Sequence, residues 1–243
     1  MSKTAYLTIS VDDGCPLDLR VAEMLDKHGL KATFYVPASD HPRQVMTKEQ
    51  VRELSRRFEM GGHTYHHVPL ARLPDEEART EILDGKRWLE DATGLPVRSF
   101  CYPRGKFTSR TVALVKEAGF IGARTCFFNR SDLPRDPYCC GVSTHAYNHS
   151  ALIQVRHALL EANFKGLADF FRVHKAERDW EAHFQRAVAA VEREGGVAHL
   201  YFHSWEIDEH REWDKLARVL AHVAQHTQLT RVTNGELFAL CRS

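Results

Sequence analysis

Short apolar runs alternate with longer amphipathic runs along this chain, and that alternation limits the folds open to it. Residues 5–11 (AYLTISV), 32–36 (ATFYV), 99–102 (SFCY) and 197–203 (VAHLYFH) are apolar and rich in β-branched or aromatic side chains. They read as buried strands, and a shorter run at 120–123 reads the same way. Between them the apolar residues take a helical spacing. In residues 17–28 the stripe is Leu17, Val21, Met24 and Leu25, and Gly29 follows as a stop signal. Residues 47–58 open on a Thr cap and carry Val51, Leu54 and Phe58. Residues 74–93, 109–118, 176–194 and 212–226 also read as helices, and 124–148 reads as loop. Strands interleaved with helices imply a parallel sheet or barrel, because a parallel crossover needs a helix-length connection. No repeat or low-complexity segment breaks the order, so one domain over residues 1–243 is expected. In such folds functional side chains gather at the C-terminal ends of strands.

Charge and composition narrow the function. The chain carries 33 Lys+Arg against 32 Asp+Glu, a formal net charge of +1. That leaves no broad positive field for a phosphate backbone, so nucleic acid is not an expected partner. No apolar stretch is long enough to span a bilayer, and MSKTAYLTISVDDG lacks the apolar centre and cleavage site of a secretion signal. A soluble cytoplasmic protein is therefore expected. The six cysteines show no CxxC spacing and are expected as reduced thiols. Histidine stands out at fifteen residues, and it is the commonest metal ligand and a near-neutral acid and base.

Four segments at strand ends can carry chemistry. Asp12 and Asp13 close the first strand before Gly14. Two adjacent carboxylates at a buried strand end are costly unless a cation compensates, although Asp-Gly is also a plain turn signal. His63 and His67 in GGHTYHH are four apart, a spacing that lets two imidazoles reach one ion where the segment coils. Helical-turn geometry favours that pair over His66, and a pair of surface histidines is the alternative. SFCYPRG makes a tight turn that can present a backbone N–H to a ligand or can be an ordinary strand-to-loop turn. LYFH ends an apolar strand on His203, before Ser204, Trp205 and Glu206; a satisfied core histidine is the other reading.

Taken in this order, the four segments resemble the polysaccharide deacetylase family, also called carbohydrate esterase family 4 or the NodB homology domain. The family's T-F-D-D-G corresponds to Ser10-Val11-Asp12-Asp13-Gly14, and its H-[ST]-x-x-H to His63-Thr64-Tyr65-His66-His67. Its third motif, ending P-x-G, corresponds to Phe100-Cys101-Tyr102-Pro103-Arg104-Gly105, and its late L-x-x-H to Leu200-Tyr201-Phe202-His203. The resemblance covers residues 4–205, with C-terminal helices over 206–243. It implies an α/β fold, a distorted, incomplete (β/α) barrel. It implies a divalent ion, usually zinc, on Asp13, His63 and His67, with a position left open for water. Asp12 would be the general base and His203 the general acid toward a departing amine. The Arg104 N–H would be an oxyanion donor. Tyr102, Pro103, Arg104 and Trp205 would line the pocket, with Trp205 against a sugar face.

The implied reaction is metal-dependent removal of an N-acyl group, N-acetyl first, from an amino sugar or glycan precursor. A C–N hydrolase acting on a formamide, cyclic amide or ureide keeps the same site. A glycan-binding member without turnover is the reading from outside the enzymes. The oligomeric state is left open. Two departures from the family pattern matter. Cys101 stands where the third motif often has Arg, which leaves Arg98 and Arg124 as candidates to orient Asp12. No D-x-x-D-W occurs in 119–149, which leaves Glu206 or Asp136 to hold His203. Thr144, His145, Asn148 and His149 fall in the loop segment, either shaping the cleft or solvated.

Overall fold

A computed structural model describes residues 4–40 and 42–241. Its centre is β1 (Ala5–Asp12), with seven of eight residues buried. A strand covered on both faces has no solvent side, which is why this one runs apolar instead of alternating. Four strand–helix units follow: α1 (Asp18–Lys27), β2 (Thr33–Val36), α2 (Lys48–Ser55), β3 (Glu59–Gly62), α3 (Asp75–Thr93), β4 (Ser99–Cys101), α4 (Ser109–Glu117) and β5 (Gly122–Arg124). The chain then forms β6 (Thr144–His145), α5 (Ala151–Leu160), α6 (Phe164–Arg172), α7 (Trp180–Glu194) and β7 (Gly196–His203). It closes with α8 (Ser204–Glu209), α9 (Trp213–Gln225), β8 (Thr230–Arg231) and α10 (Asn234–Leu240).

The strand order is β5-β4-β3-β2-β1-β7-β6, with β8 beside β1. Every strand pair is parallel. The sheet curls into an incomplete (β/α) barrel, as expected. Leu7, Ile9 and Val11 of β1 pack with Val21 and Leu25 of α1 and with Leu216, Val219 and Leu220 of α9 in one large cluster. Burying each such side chain contributes roughly 1.5–3 kcal/mol. Among the described residues no helix is long and apolar enough to cross a membrane.

Several elements differ from the sequence reading, each for a local reason. β3 was not expected, because Glu59-Met60-Gly61-Gly62 has little strand propensity. The glycine is required there: a Cβ on Gly61 would lie 2.4 Å from the Tyr35 ring. β5 runs to Arg124, one residue past the expected strand, and β6 lies inside the expected loop. α7 begins at Trp180 rather than residue 176, because the Asp179 side chain accepts the Ala182 N–H and caps it. The helices α5 and α6 fill a stretch to which the sequence reading assigned no element.

Parallel pairing places all strand C-termini at one edge, and register sets which side chains meet there. Asp12 lies opposite both Tyr35 of β2 and His203 of β7. Cys101 lies opposite Arg124, and His145 opposite Tyr201.

Candidate active site

At this edge a cleft of about 510 Å³ is lined by Asp12, Asp13, His63, His67, Arg104, His203 and Trp205, among others. The first strand delivers Asp12 within the ladder and Asp13 just past it. Asp13 turns away from the strand at φ 78°, a left-handed conformation that swings its carboxylate across the strand end. Its Oδ1 lies 3.5 Å from His63 Nε2 and 3.1 Å from His67 Nε2.

The two histidines sit in the loop after β3, not on a helical turn as the spacing suggested. Thr64 (φ 64°) and His67 (φ 54°) are both left-handed, and they coil the loop so that the two rings stand 4.8 Å apart. Gly85 of α3 lets the helix lie directly on this loop, because a Cβ there would meet the Thr64 backbone at 2.6 Å. His66 points outward and pairs with Glu81 at 2.7 Å.

Hydrogen-bond partners fix the tautomers. His63 Nδ1 is 2.8 Å from the Cys101 carbonyl, and His67 Nδ1 is 2.9 Å from Asp40 Oδ1. Both partners only accept, so each Nδ1 carries a proton and each ring turns its Nε2 inward toward Asp13. Burial, first among the causes, holds His67 below its ordinary pKa and keeps it neutral. Both Nε2 atoms face Asp13 Oδ1, which is itself buried without a hydrogen-bond partner. In the neutral tautomer with the proton on Nδ1, the two Nε2 lone pairs and the carboxylate oxygen form a three-donor set that a cation would hold together. Asp13, His63 and His67 fit a divalent ion on that ground, and their ligand atoms all lie within 4.8 Å of one another. Outer carbonyl and carboxylate partners on metal-binding imidazoles complete the pattern.

Asp12 has a different environment. It is buried, and one oxygen, Oδ2, accepts from Arg124 Nη2 while Oδ1 has no partner. Of the two arginine candidates, Arg124 is wholly buried beside Asp12 and Arg98 is exposed. Arg124 also donates to Cys101 Sγ at 2.7 Å and lies 4.4 Å over the Tyr201 ring. The guanidinium thus arrives from the strand next to the one carrying Cys101, at the register position opposite it.

His203 Nδ1 donates to Glu206 Oε2 at 2.6 Å, and its Nε2 faces Asp13 Oδ2 at 3.8 Å. Burial lowers its pKa, but Asp13 and Glu206 outweigh that and raise it to about 9. Glu206 rather than Asp136 holds this histidine; Asp136 caps a turn through the Tyr138 N–H. The same Glu206 oxygen accepts from His145 Nε2 at 2.9 Å, and His145 Nδ1 meets His149 Nε2 at 3.0 Å.

Trp205 lines the cleft and donates its Nε1 to Asp13 Oδ2 at 3.0 Å. One ring face carries the Arg43 guanidinium at 3.9 Å. Arg104 is exposed on the cleft wall at φ 55°. Tyr102 and Pro103 are buried and do not line the cleft; Tyr102 turns inward and donates its hydroxyl to the Tyr138 carbonyl at 3.3 Å. The strand alternation accounts for this, since Tyr102 follows Cys101, whose thiol takes the face toward Asp12.

The profile of the polysaccharide deacetylase family matches residues 2–123, which hold the first three motifs. The chain belongs to the polysaccharide deacetylase family. A peptidoglycan-N-acetylglucosamine deacetylase of Bacillus cereus is 29% identical over 54% of this chain and 59% of its own length. The chain spans about half the length of the curated relatives it matches. Among solved structures, a Mycobacterium smegmatis chain named for polysaccharide deacetylases superposes at TM-score 0.67, with 14% identity over 100% of this chain and 91% of that one. A family 4 acetyl xylan esterase from Clostridium thermocellum, solved with a cobalt ion, superposes at TM-score 0.61, with 19% identity over 97% and 91%. At these identities the structures show a shared fold.

Asp40, His145 and Phe128 also belong to the cleft and were not among the sequence candidates for it, apart from His145 as an open alternative. Asp40 lay in no motif, yet it sits four residues past the end of β2, the same kind of strand end that marks the others. Because it orients His67, Asp40→Asn is expected to weaken metal affinity by about 10–100-fold with little change in melting temperature. Titration of the chelator-treated variant with zinc checks this; an unchanged affinity excludes the role.

Proposed function

We propose that this polysaccharide deacetylase family member is a metal-dependent hydrolase that removes an N-acyl group, N-acetyl first, from an amino sugar of a glycan or glycan precursor. The observation that carries the reading is the unpartnered Asp13 Oδ1 facing Nε2 of two imidazoles, with Asp12 and His203 beside it on the ladder. Asp13, His63 and His67 would hold a divalent ion, which would supply Lewis acidity toward the substrate carbonyl and a more acidic water near neutral pH. Two imidazoles and one carboxylate are a borderline donor set that suits zinc and its transition-metal neighbours.

The remaining roles fall to the chain's own groups. Arg124 fixes Asp12 by one oxygen and leaves Oδ1 free to accept a proton from water. His203 holds its Nδ1 proton on Glu206 and presents Nε2 to the cleft, where it delivers a proton to the leaving amine. A cleft of about 510 Å³ accommodates a sugar unit and its neighbours. The amino-sugar substrate named in the Bacillus cereus relative and the cobalt ion named in the Clostridium thermocellum structure support the same reading.

Acetate release from acetylated chito-oligosaccharides is the test. Turnover is expected to vanish with chelator and return with zinc, and not to return in Asp13→Asn. Full turnover after complete chelation overturns the proposal. Release of formate or ammonia from small amides, with no acetate from any glycan, transfers the site to the small-amide reading.

A further inference from the structure

The helical hairpin of α5 and α6 shows a surface unlike the rest of the molecule. Among the described residues, six of the nine large exposed hydrophobic residues lie on it: Leu152, Ile153, Leu159, Leu160, Phe164 and Phe171. Three are far out of the protein, with Leu152 79% exposed, Leu160 73% and Phe164 66%. The other exposed residues between 151 and 176 are Arg156, Ala162, Lys165, Ala168, Arg172 and Lys175. The exposed face is therefore apolar or basic throughout. Its two acids are turned away from solvent. Asp169 is buried and pairs with Lys165 at 2.5 Å and Arg172 at 3.0 Å, and Glu161 pairs with Lys106 at 3.3 Å. From outside the hairpin Asp132 and Glu194 flank Lys165 at 3.7 Å and Arg172 at 3.6 Å, so Arg156 and Lys175 carry the face's charge.

We propose that this face docks the protein on an anionic lipid bilayer surface. Apolar side chains interleaved with Lys and Arg, without exposed acids, are what a helix lying in a lipid interface needs. Apolar residues enter the headgroup boundary while the cations meet anionic headgroups. Charge argues against a second copy of this chain as the occupant. A two-fold contact through this face would set its cations against other cations or apolar side chains, with no exposed acid of the hairpin to receive them. The face is also continuous with the cleft. His157 of α5 lines the cleft, and Lys106, which holds Glu161 of the hairpin, lines it too. Docking would bring the cleft mouth to the bilayer surface, where substrates carried on lipid or packed against the membrane are presented. The proposal does not depend on the chemistry assigned to the cleft.

Flotation of the full chain with phosphatidylcholine vesicles, with and without phosphatidylglycerol, tests it. The wild-type chain is expected to float with the anionic vesicles and to detach as salt rises. Leu160→Glu/Phe164→Glu is expected to lose at least about tenfold in apparent partitioning, and Arg156→Glu several-fold, with unchanged melting temperatures. Leu152→Ser/Leu159→Ser, which adds no charge, should show the loss as well. Absence of wild-type binding to anionic vesicles at low salt overturns the proposal, and so does undiminished binding by both double variants. A wild-type dimer in sedimentation that Leu160→Glu/Phe164→Glu dissociates also overturns it, and assigns the face to a second copy.

Discussion

Arg124→Met is expected to destabilise the protein by about 3–5 kcal/mol and to abolish turnover. Arg124 is wholly buried, donates to Asp12 Oδ2 and Cys101 Sγ, and stacks over Tyr201. Removing it strands the largely buried Asp12 carboxylate without its counter-charge, and an uncompensated buried charge is expensive. The compensating variant separates stability from function. Arg124→Met/Asp12→Asn removes both charges, so it should recover much of the stability lost by the single change. It should remain inactive, because Asn has no carboxylate to accept the proton from water. Arg124→Lys is not a conservative change here, since an ammonium cannot reach both acceptors while lying flat on an aromatic ring. Denaturant unfolding of the metal-free chains, read beside acetate release, decides the matter. A single variant with the wild-type midpoint would show that Asp12 and Arg124 are not a buried ion pair.

The same pair shows where sequence reading works and where it stops. Asp12, Asp13, His63, His67 and His203 are recognisable because each ends a strand or follows one within a short fixed spacing, and parallel pairing then brings those ends together. Arg124 was only one of two candidates. Its partnership with Asp12 crosses 112 residues of chain and rests on a strand boundary one residue later than the apolar pattern suggests. α6 carries a stripe in Phe164, Leu167 and Phe170 that the sequence reading passed over, whereas α5 was illegible for the opposite reason. A helix announces itself by an apolar stripe against a polar face, and in α5 apolar residues lie nearly all round, with Leu152, Leu159 and Leu160 outward. The histidine surplus divides in the structure. Among the described residues six histidines line the cleft: His63, His67, His145, His149, His157 and His203. Others are structural, such as His199, bonded to Ser10 at 2.9 Å, and the stacked pair His174 and His183 at 3.6 Å.

His203→Gln is expected to lower kcat by about 10²–10⁴-fold with a small change in KM, the cost of losing a positioned general acid. The pH dependence distinguishes this role from a structural one. His203 is held at about 9 against an ordinary value of 6.5, so it is protonated at neutral pH. A group whose folded pKa lies above its unfolded value stabilises the fold fully below about 6.5, and that contribution fades as pH rises through about 9. Activity that needs the imidazolium should fall over the same upper range. Glu206→Gln removes the carboxylate bonded to Nδ1, so it should shift the alkaline limb toward lower pH while sparing the limb set by the base. A divalent ion on Asp13 acts in the same direction, because it neutralises the other carboxylate that raises His203. The alkaline limb of the zinc-loaded protein should therefore lie below the His203 titration seen by NMR in the metal-free chain. His145 stays neutral, since burial pushes its pKa down. It donates Nε2–H to Glu206 and can only accept at Nδ1, so the hydrogen bonds through Glu206 have one direction and hold the Nδ1 proton on His203. A Glu206→Gln profile that keeps the wild-type alkaline limb would remove His203 from the acid role and leave it as packing beside the metal ligands.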